Sequence, residues 1–352
     1  MTTSEAGCLL TILLVYALSP MLISFQSIIG QPKAKQFLAG SFARQKTAHA
    51  YLFRGPAGVG KKTCALAFAA LINCTAPVNG DVCGHCPSCV KYHSGNHPDL
   101  LIIEPQGTAN ALKIDQIREL KKTLIYPPFE ARFRVVLIKD IHLTMRRKEV
   151  TNSLLKTLEE PPADTVFILT GDEAGDILPT ILSRCQIVPF YPLPYAQVTQ
   201  ALQLHDHIEE QTAASLAAIS EGSLGRARLL HQEGLLPLRR EIMQNLLALA
   251  PGTPDAVQAV FQLAEKAADT KENLEELLDL ITIWFRDIML AHQGLTDRVI
   301  NNDLHALLPA ACRRWDHDEL TDKLQRISLA RRQLLHNCNR TLVCEVLFFG
   351  LL

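Results

Sequence analysis

Neither sign of charge dominates this sequence of 352 residues: lysine and arginine number 35, aspartate and glutamate 36, for a formal net charge of -1. A chain so balanced has no global electrostatic pull toward nucleic acid, so any DNA contact must be a local patch. Aromatic residues are only 6% of the chain and are not interleaved with basic ones, which argues against a protein that binds single strands by stacking on its own. No long internal repeat or low-complexity tract stands out. What remains is a globular composition, 48% hydrophobic and 20% charged, with enough apolar residues to bury more than one core.

A convincing membrane span is also lacking, with one near miss. Residues 8–23 read CLLTILLVYALSPMLI, but the preceding MTTSEAG holds Glu5 and no lysine or arginine, whereas a secretory leader begins with a positive segment. The run is broken at Ser19 and Pro20 and is shorter than the roughly 20 apolar residues that cross a bilayer. The expectation is therefore a cytoplasmic chain without membrane contact. Residues 1–23 are read as an extension outside the main domain, with Met21 as the natural start and an added packed helix as the alternative.

From Ser24 to about Phe190, helical periods alternate with short apolar runs, the pattern of an α/β domain with a parallel sheet. Ala50–Phe53, Arg134–Ile138 and Val166–Leu169 read as buried strands, and ligands of such sheets sit at the strands' carboxyl ends. After Pro192 the pattern turns helical, as in Gln211–Ile219, Leu238–Leu249 and Asn273–Ala291. The expected division is an α/β P-loop domain over 24–190, a small helical domain over 191–250 and a larger all-α domain over 251–352, with Ala250–Pro254 as a linker.

YLFRGPAGVGKKT runs from a strand into a glycine-rich turn and an alanine-rich helix, the context a P-loop requires. Gly55, Gly58 and Gly60 let backbone N–H groups wrap a phosphate, and Lys61 would reach its terminal oxygens. The pattern next wants a hydroxyl to hold Mg²⁺, and Lys62 stands there; an ammonium cannot ligate a cation. Thr63 is about 100° further round the helix and should face elsewhere. Beyond the second strand, Lys139 takes the place of the magnesium carboxylate and Asp140 that of the catalytic acid. Two lysines thus replace two groups around one cation, which argues against Mg·ATP hydrolysis. The loop is then either a nucleotide site without its magnesium or an inherited turn that binds no nucleotide.

The chain has ten cysteines, and four of them, Cys74, Cys83, Cys86 and Cys89, fall within one turn-rich stretch. Their C-x8-C-x2-C-x2-C spacing lets four thiolates converge on one tetrahedral ion, a structural Zn²⁺ with no open position; a small core of free thiols is the alternative. His85, His93 and His97 are near enough to replace a ligand but read as surface residues.

Together these residues resemble the clamp-loader branch of the AAA+ ATPases. Phe25-Gln-Ser-Ile-Ile-Gly-Gln31 is similar to the family's nucleotide-base segment, His49-Ala-Tyr-Leu-Phe53 to its entry into the P-loop, and the four-cysteine module to an insertion found in bacterial clamp loaders. Asn152-Ser-Leu-Leu-Lys-Thr-Leu-Glu-Glu-Pro-Pro162 and Leu178-Pro-Thr-Ile-Leu-Ser-Arg-Cys185 complete the likeness. The resemblance implies that Thr170 is at sensor 1, that Arg226, within Gly222–Ala227, lies near sensor 2, and that Arg184 reaches across to a neighbouring subunit's ATP. It further implies a helical lid, a C-terminal collar, a hetero-oligomeric ring, a sliding clamp and primed DNA as partners. An intact trans arginine beside a damaged local ATP site favours the non-hydrolysing, delta-prime kind of subunit. A salt-bridging role for Arg184, an active motor subunit of the gamma/tau kind and an autonomous zinc protein remain the alternatives.

Overall fold

The computed structural model describes residues 23–104, 112–141, 148–172 and 177–352. The extension expected at residues 1–23 lies, but for Ile23, outside the described residues. The chain divides into two units, the first ending at Leu193 and the second running from Pro194 to Leu352.

The first unit is built on five parallel strands, β1 (Ala50–Arg54), β2 (Leu100–Ile103), β3 (Arg134–Ile138), β4 (Thr165–Gly171) and β5 (Gln186–Pro189), in the order β2-β3-β4-β1-β5. This is the expected α/β fold with a parallel sheet, and the P-loop sequence directly follows β1. Three strands stand where the sequence places them; β2 and β5 were not legible beforehand. The central strands β1, β3 and β4 are buried almost throughout and mostly apolar because helices cover both faces. Successive side chains alternate: Tyr51, Phe53, Val135, Leu137, Val166 and Ile168 enter one core, while Leu52, Val136, Ile138, Phe167 and Leu169 enter the other.

In the first core lie α1 (Pro32–Ala43) and α2 (Lys61–Ile72). Small residues of α2, Ala65, Ala67, Ala69 and Ala70, are buried together with Phe68, which lets this helix pass close to the sheet. A short helix, α3 (Pro87–His93), follows it. In the second core lie α4 (Ile114–Leu124) and α5 (Lys148–Glu159), and α6 (Pro179–Leu182) precedes β5.

The second unit is helical: α7 (Tyr195–Asp206), α8 (Glu210–Ile219), α9 (Leu224–Gln232), α10 (Leu235–Ala248), α11 (Pro254–Asp269), α12 (Leu274–His292), α13 (Leu308–Arg314), α14 (His317–Leu335) and α15 (Arg340–Leu351). The helical periods read from the sequence coincide with α8, α10 and α12 to within a few residues. Although α10 precedes the boundary expected near residue 250, its Ile242, Met243 and Leu246 share one apolar cluster with the later helices around Trp284 and Phe285. Among the described residues no helix is long and apolar enough to cross a membrane.

Candidate functional site

Parallel pairing brings the P-loop, Lys139, Asp140 and Thr170 to the carboxyl end of the sheet. The P-loop leaves β1, Lys139 and Asp140 follow β3, and Thr170, the last residue but one of β4, lies directly opposite Phe53. Gly55 must be glycine: its φ is 154°, and a Cβ there would collide with the Phe190 carbonyl. Gly58 and Gly60 also adopt positive φ, 71° and 101°, and Gly60 is the residue before α2. The Lys61 ammonium folds back onto the loop, donating to the Gly55 and Pro56 carbonyls. Burial lowers its pKa, against the attraction of Asp172 and Asp140. Asp140 takes a positive φ of 48° and donates its N–H to Thr170 Oγ1 at 3.0 Å. Thr63 is exposed.

Lys62 and Lys139, which the sequence pattern puts where a P-loop ATPase ligates magnesium, converge on one acid. Lys62 Nζ lies 3.3 Å and Lys139 Nζ 3.1 Å from the same oxygen of Glu104, the residue that ends β2's apolar run. Hydrogen bonding from Lys139 leads the effects that hold this carboxyl below its ordinary pKa, and Lys62 adds to them against partial burial. Glu104 is the participant that sequence reading missed. An acid directly after Leu100–Ile103 was the available signal, but it needed the recognition of β2 and of its place beside β3. The donor set does not fit Mg²⁺, because ammonium groups stand where a hydroxyl and a carboxylate would ligate it.

Arg184, just beyond α6, donates to Glu159 Oε1 at 2.5 Å, to the Thr180 carbonyl at 2.9 Å and to Ser183 Oγ at 3.1 Å. Its side chain remains about one-third exposed. Arg226 belongs to the helical unit, where it donates to Glu276 at 2.8 Å and lies 3.7 Å from Asp279. Gln31, at the end of the segment resembling the nucleotide-base region, ties the P-loop side to residue 191. Its amide donates to the Val59 and Tyr191 carbonyls and accepts from the Tyr191 N–H.

The thiol sulfurs of Cys74, Cys83, Cys86 and Cys89 all lie within 4.8 Å of one another, so the four together could hold a metal ion. The local sequence builds this cluster. Cys86 caps α3 by accepting the Cys89 N–H at 3.5 Å, Pro87 opens that helix, and Cys89 rides on its first turn. The N–H groups of Cys83 and Cys86 point at the sulfurs of Cys74 and Cys83, each at 3.4 Å. At Cys86 burial opposes the thiolate, but hydrogen bonds from Cys89 and Thr75 outweigh it and bring the thiol down to about 6. Burial raises Cys74 and Cys89 instead. Asp81 fastens the module to the start of the domain by accepting the N–H groups of Phe25, Gln26 and Val82.

His85 is exposed as expected, but His97 is not a surface residue. It is 4% exposed and stacks on Tyr92 with ring centroids 4.2 Å apart. Burial lowers its pKa, against the acids Glu130 and Asp99.

Models of two regions described as DNA polymerase III, delta subunit, and DNA polymerase III, delta subunit, C terminal, match residues 30–194 and 233–351. A delta-prime subunit from Bacillus subtilis is 27% identical over 309 residues, which are 88% of this chain and 92% of that protein. The chain belongs to the delta-prime family of DNA polymerase III clamp-loader subunits. A Pseudomonas aeruginosa delta-prime subunit is 34% identical over 58% of this chain and 62% of its own length. The tau subunit of Escherichia coli is 32% identical over 73% of this chain, which spans 40% of tau. The first delta-family match ends within one residue of the boundary between the two units. The second begins just before α10, the helix that shares the later helices' core.

Proposed function

We propose that this chain is the delta-prime subunit of a DNA polymerase III clamp loader, and that it completes a neighbouring subunit's ATP site while hydrolysing no Mg·ATP itself. The observation that carries this reading is the pairing of Lys62 and Lys139 with Glu104 where a magnesium ion would be ligated. Arg184 supplies the other half of the argument. Its guanidinium is partly exposed and held by an acid on the surface of the same unit, and such an ion pair is weak enough to exchange for a phosphate. Exchanged onto the γ-phosphate of a neighbour's ATP, it would offset charge in the transition state, as arginines supplied in trans do.

In this reading the cysteine cluster holds structural Zn²⁺. Four thiolates about 2.3 Å from one ion lie about 3.8 Å apart, and Cys83 Sγ and Cys89 Sγ are separated by 3.9 Å. With all four positions taken, the ion braces the fold and has no site for water. The helices before residue 250 serve as a lid carrying Arg226, and those beyond it as a collar in a hetero-oligomeric ring. The ring places a sliding clamp on primed DNA in the cytoplasm.

The similarity to tau favours one other reading, an ATP-hydrolysing motor of the gamma/tau kind. Reconstitution with the remaining clamp-loader subunits and a sliding clamp separates the two. Loading should depend on this chain, and the isolated chain should show no Mg·ATP turnover. Turnover by the purified chain would establish the motor, and loading that proceeds without the chain would contradict both.

A further inference from the structure

A P-loop ordinarily shares one divalent cation with the triphosphate it binds, and here the residues that would ligate that cation are themselves cations. We propose that Lys62 and Lys139 replace the magnesium ion, so that this P-loop takes a polyphosphate chain, such as that of a nucleoside triphosphate, in its metal-free form.

The charge and the placement agree. Two ammonium groups supply the two positive charges that Mg²⁺ would bring. They approach from α2 and from the end of β3, the two elements that flank a P-loop's terminal phosphates, and converge within 3.3 Å of a single carboxylate oxygen. That oxygen of Glu104 shows that both ammonium groups can grip one anionic atom. Glu104 is half-exposed and can turn to solvent when a phosphate oxygen takes its place.

The rest of the cradle is present. Gly55, Gly58 and Gly60 keep the loop's backbone open to an anion, and Lys61 donates to the carbonyls of Gly55 and Pro56, from which it can swing to a phosphate. Asp140 and Asp172 attract Lys61 and, with Glu104, offset the positive charge, so binding should be moderate. Hydrolysis does not follow, because no ligated cation is available to draw charge from the leaving phosphate.

The test is read on the isolated full chain, apart from any role in loading, so that a failure here leaves the clamp-loader reading standing. Binding of a fluorescent N-methylanthraniloyl ATP is followed by anisotropy in EDTA and again in excess MgCl₂. Metal-free nucleotide should bind, and excess Mg²⁺ should weaken it roughly tenfold by taking the phosphate oxygens the lysines need. Glu104→Gln, a change at a half-exposed site, should tighten binding in EDTA. Lys62→Thr with Lys139→Asp should reverse the preference and make binding require Mg²⁺. Competition identifies the part recognised. Displacement by inorganic tripolyphosphate assigns the site to the phosphate chain alone, and displacement by ATP only assigns it to a nucleotide. No binding in EDTA at millimolar nucleotide, or tighter binding with Mg²⁺ in the unsubstituted chain, overturns the proposal.

Discussion

Asp99 is fully buried, and four groups make its charge tolerable: the N–H donors of Phe129, Glu130 and Ala131 at 2.6, 2.9 and 2.9 Å, and the Arg134 guanidinium at 3.5 Å. Burial works against the carboxylate, but these partners outweigh it and hold its pKa below the ordinary value. Arg134 in turn holds the Thr123, Tyr126 and Pro127 carbonyls, so one ion pair fixes the chain between α4 and β3. Asp99→Ala should cost about 3 kcal/mol by stranding Arg134 and three N–H groups, measured by urea unfolding. Because the folded pKa is depressed, the stabilisation is complete above the unfolded value of about 4 and is lost as pH falls below it. The Asp99→Ala chain should therefore lose less stability on acidification than the parent. Asp99 was invisible in the sequence because its partners begin 30 residues downstream and only the parallel pairing of β2 with β3 brings them together; Glu104 needs the same pairing to meet Lys139. Lys62, Lys139 and the cysteines were legible because motif spacing alone defines them.

At the scale of elements, the cysteine module shows how far spacing can be read. C-x2-C steps set two ligands on and before the first turn of α3, and the structure brings all four sulfurs together. Cys89→Ser should lose one equivalent of zinc per chain by metal analysis under reducing conditions. It should also destabilise the first unit by several kcal/mol, within the roughly 10–16 kcal/mol that structural zinc contributes to small sites. A purified parent chain without stoichiometric zinc would contradict the assignment. Strands were legible where they are central and carry an unbroken apolar run of four residues, as in β1, β3 and β4. They were not where four residues carry the whole signal: β2 is only partly buried, and β5 shows a single buried position, Val188, on an exposed edge. A period cannot be established over so short a run.

For the whole molecule, the sequence separates α/β from helical character at the point where the two units divide, since a change of period is visible without any contact being known. It says less about divisions within the helical unit, where every segment has the same period and only packing tells which helices share a core. The proposed role spans subunits: in it, this chain's productive chemistry is Arg184 delivered to another chain's ATP. ATP hydrolysis by the reconstituted clamp loader, at saturating clamp and primed DNA and with ring assembly verified separately, tests it most directly. Trans arginines contribute on the order of 10³–10⁵ in rate at the single site they serve. Arg184→Ala should therefore lower the total rate partially, silencing one site among several, while Lys61→Ala in this chain should leave it nearly unchanged. Loss of hydrolysis with Lys61→Ala beside an unaffected Arg184→Ala complex would contradict the account and make this chain a motor in its own right.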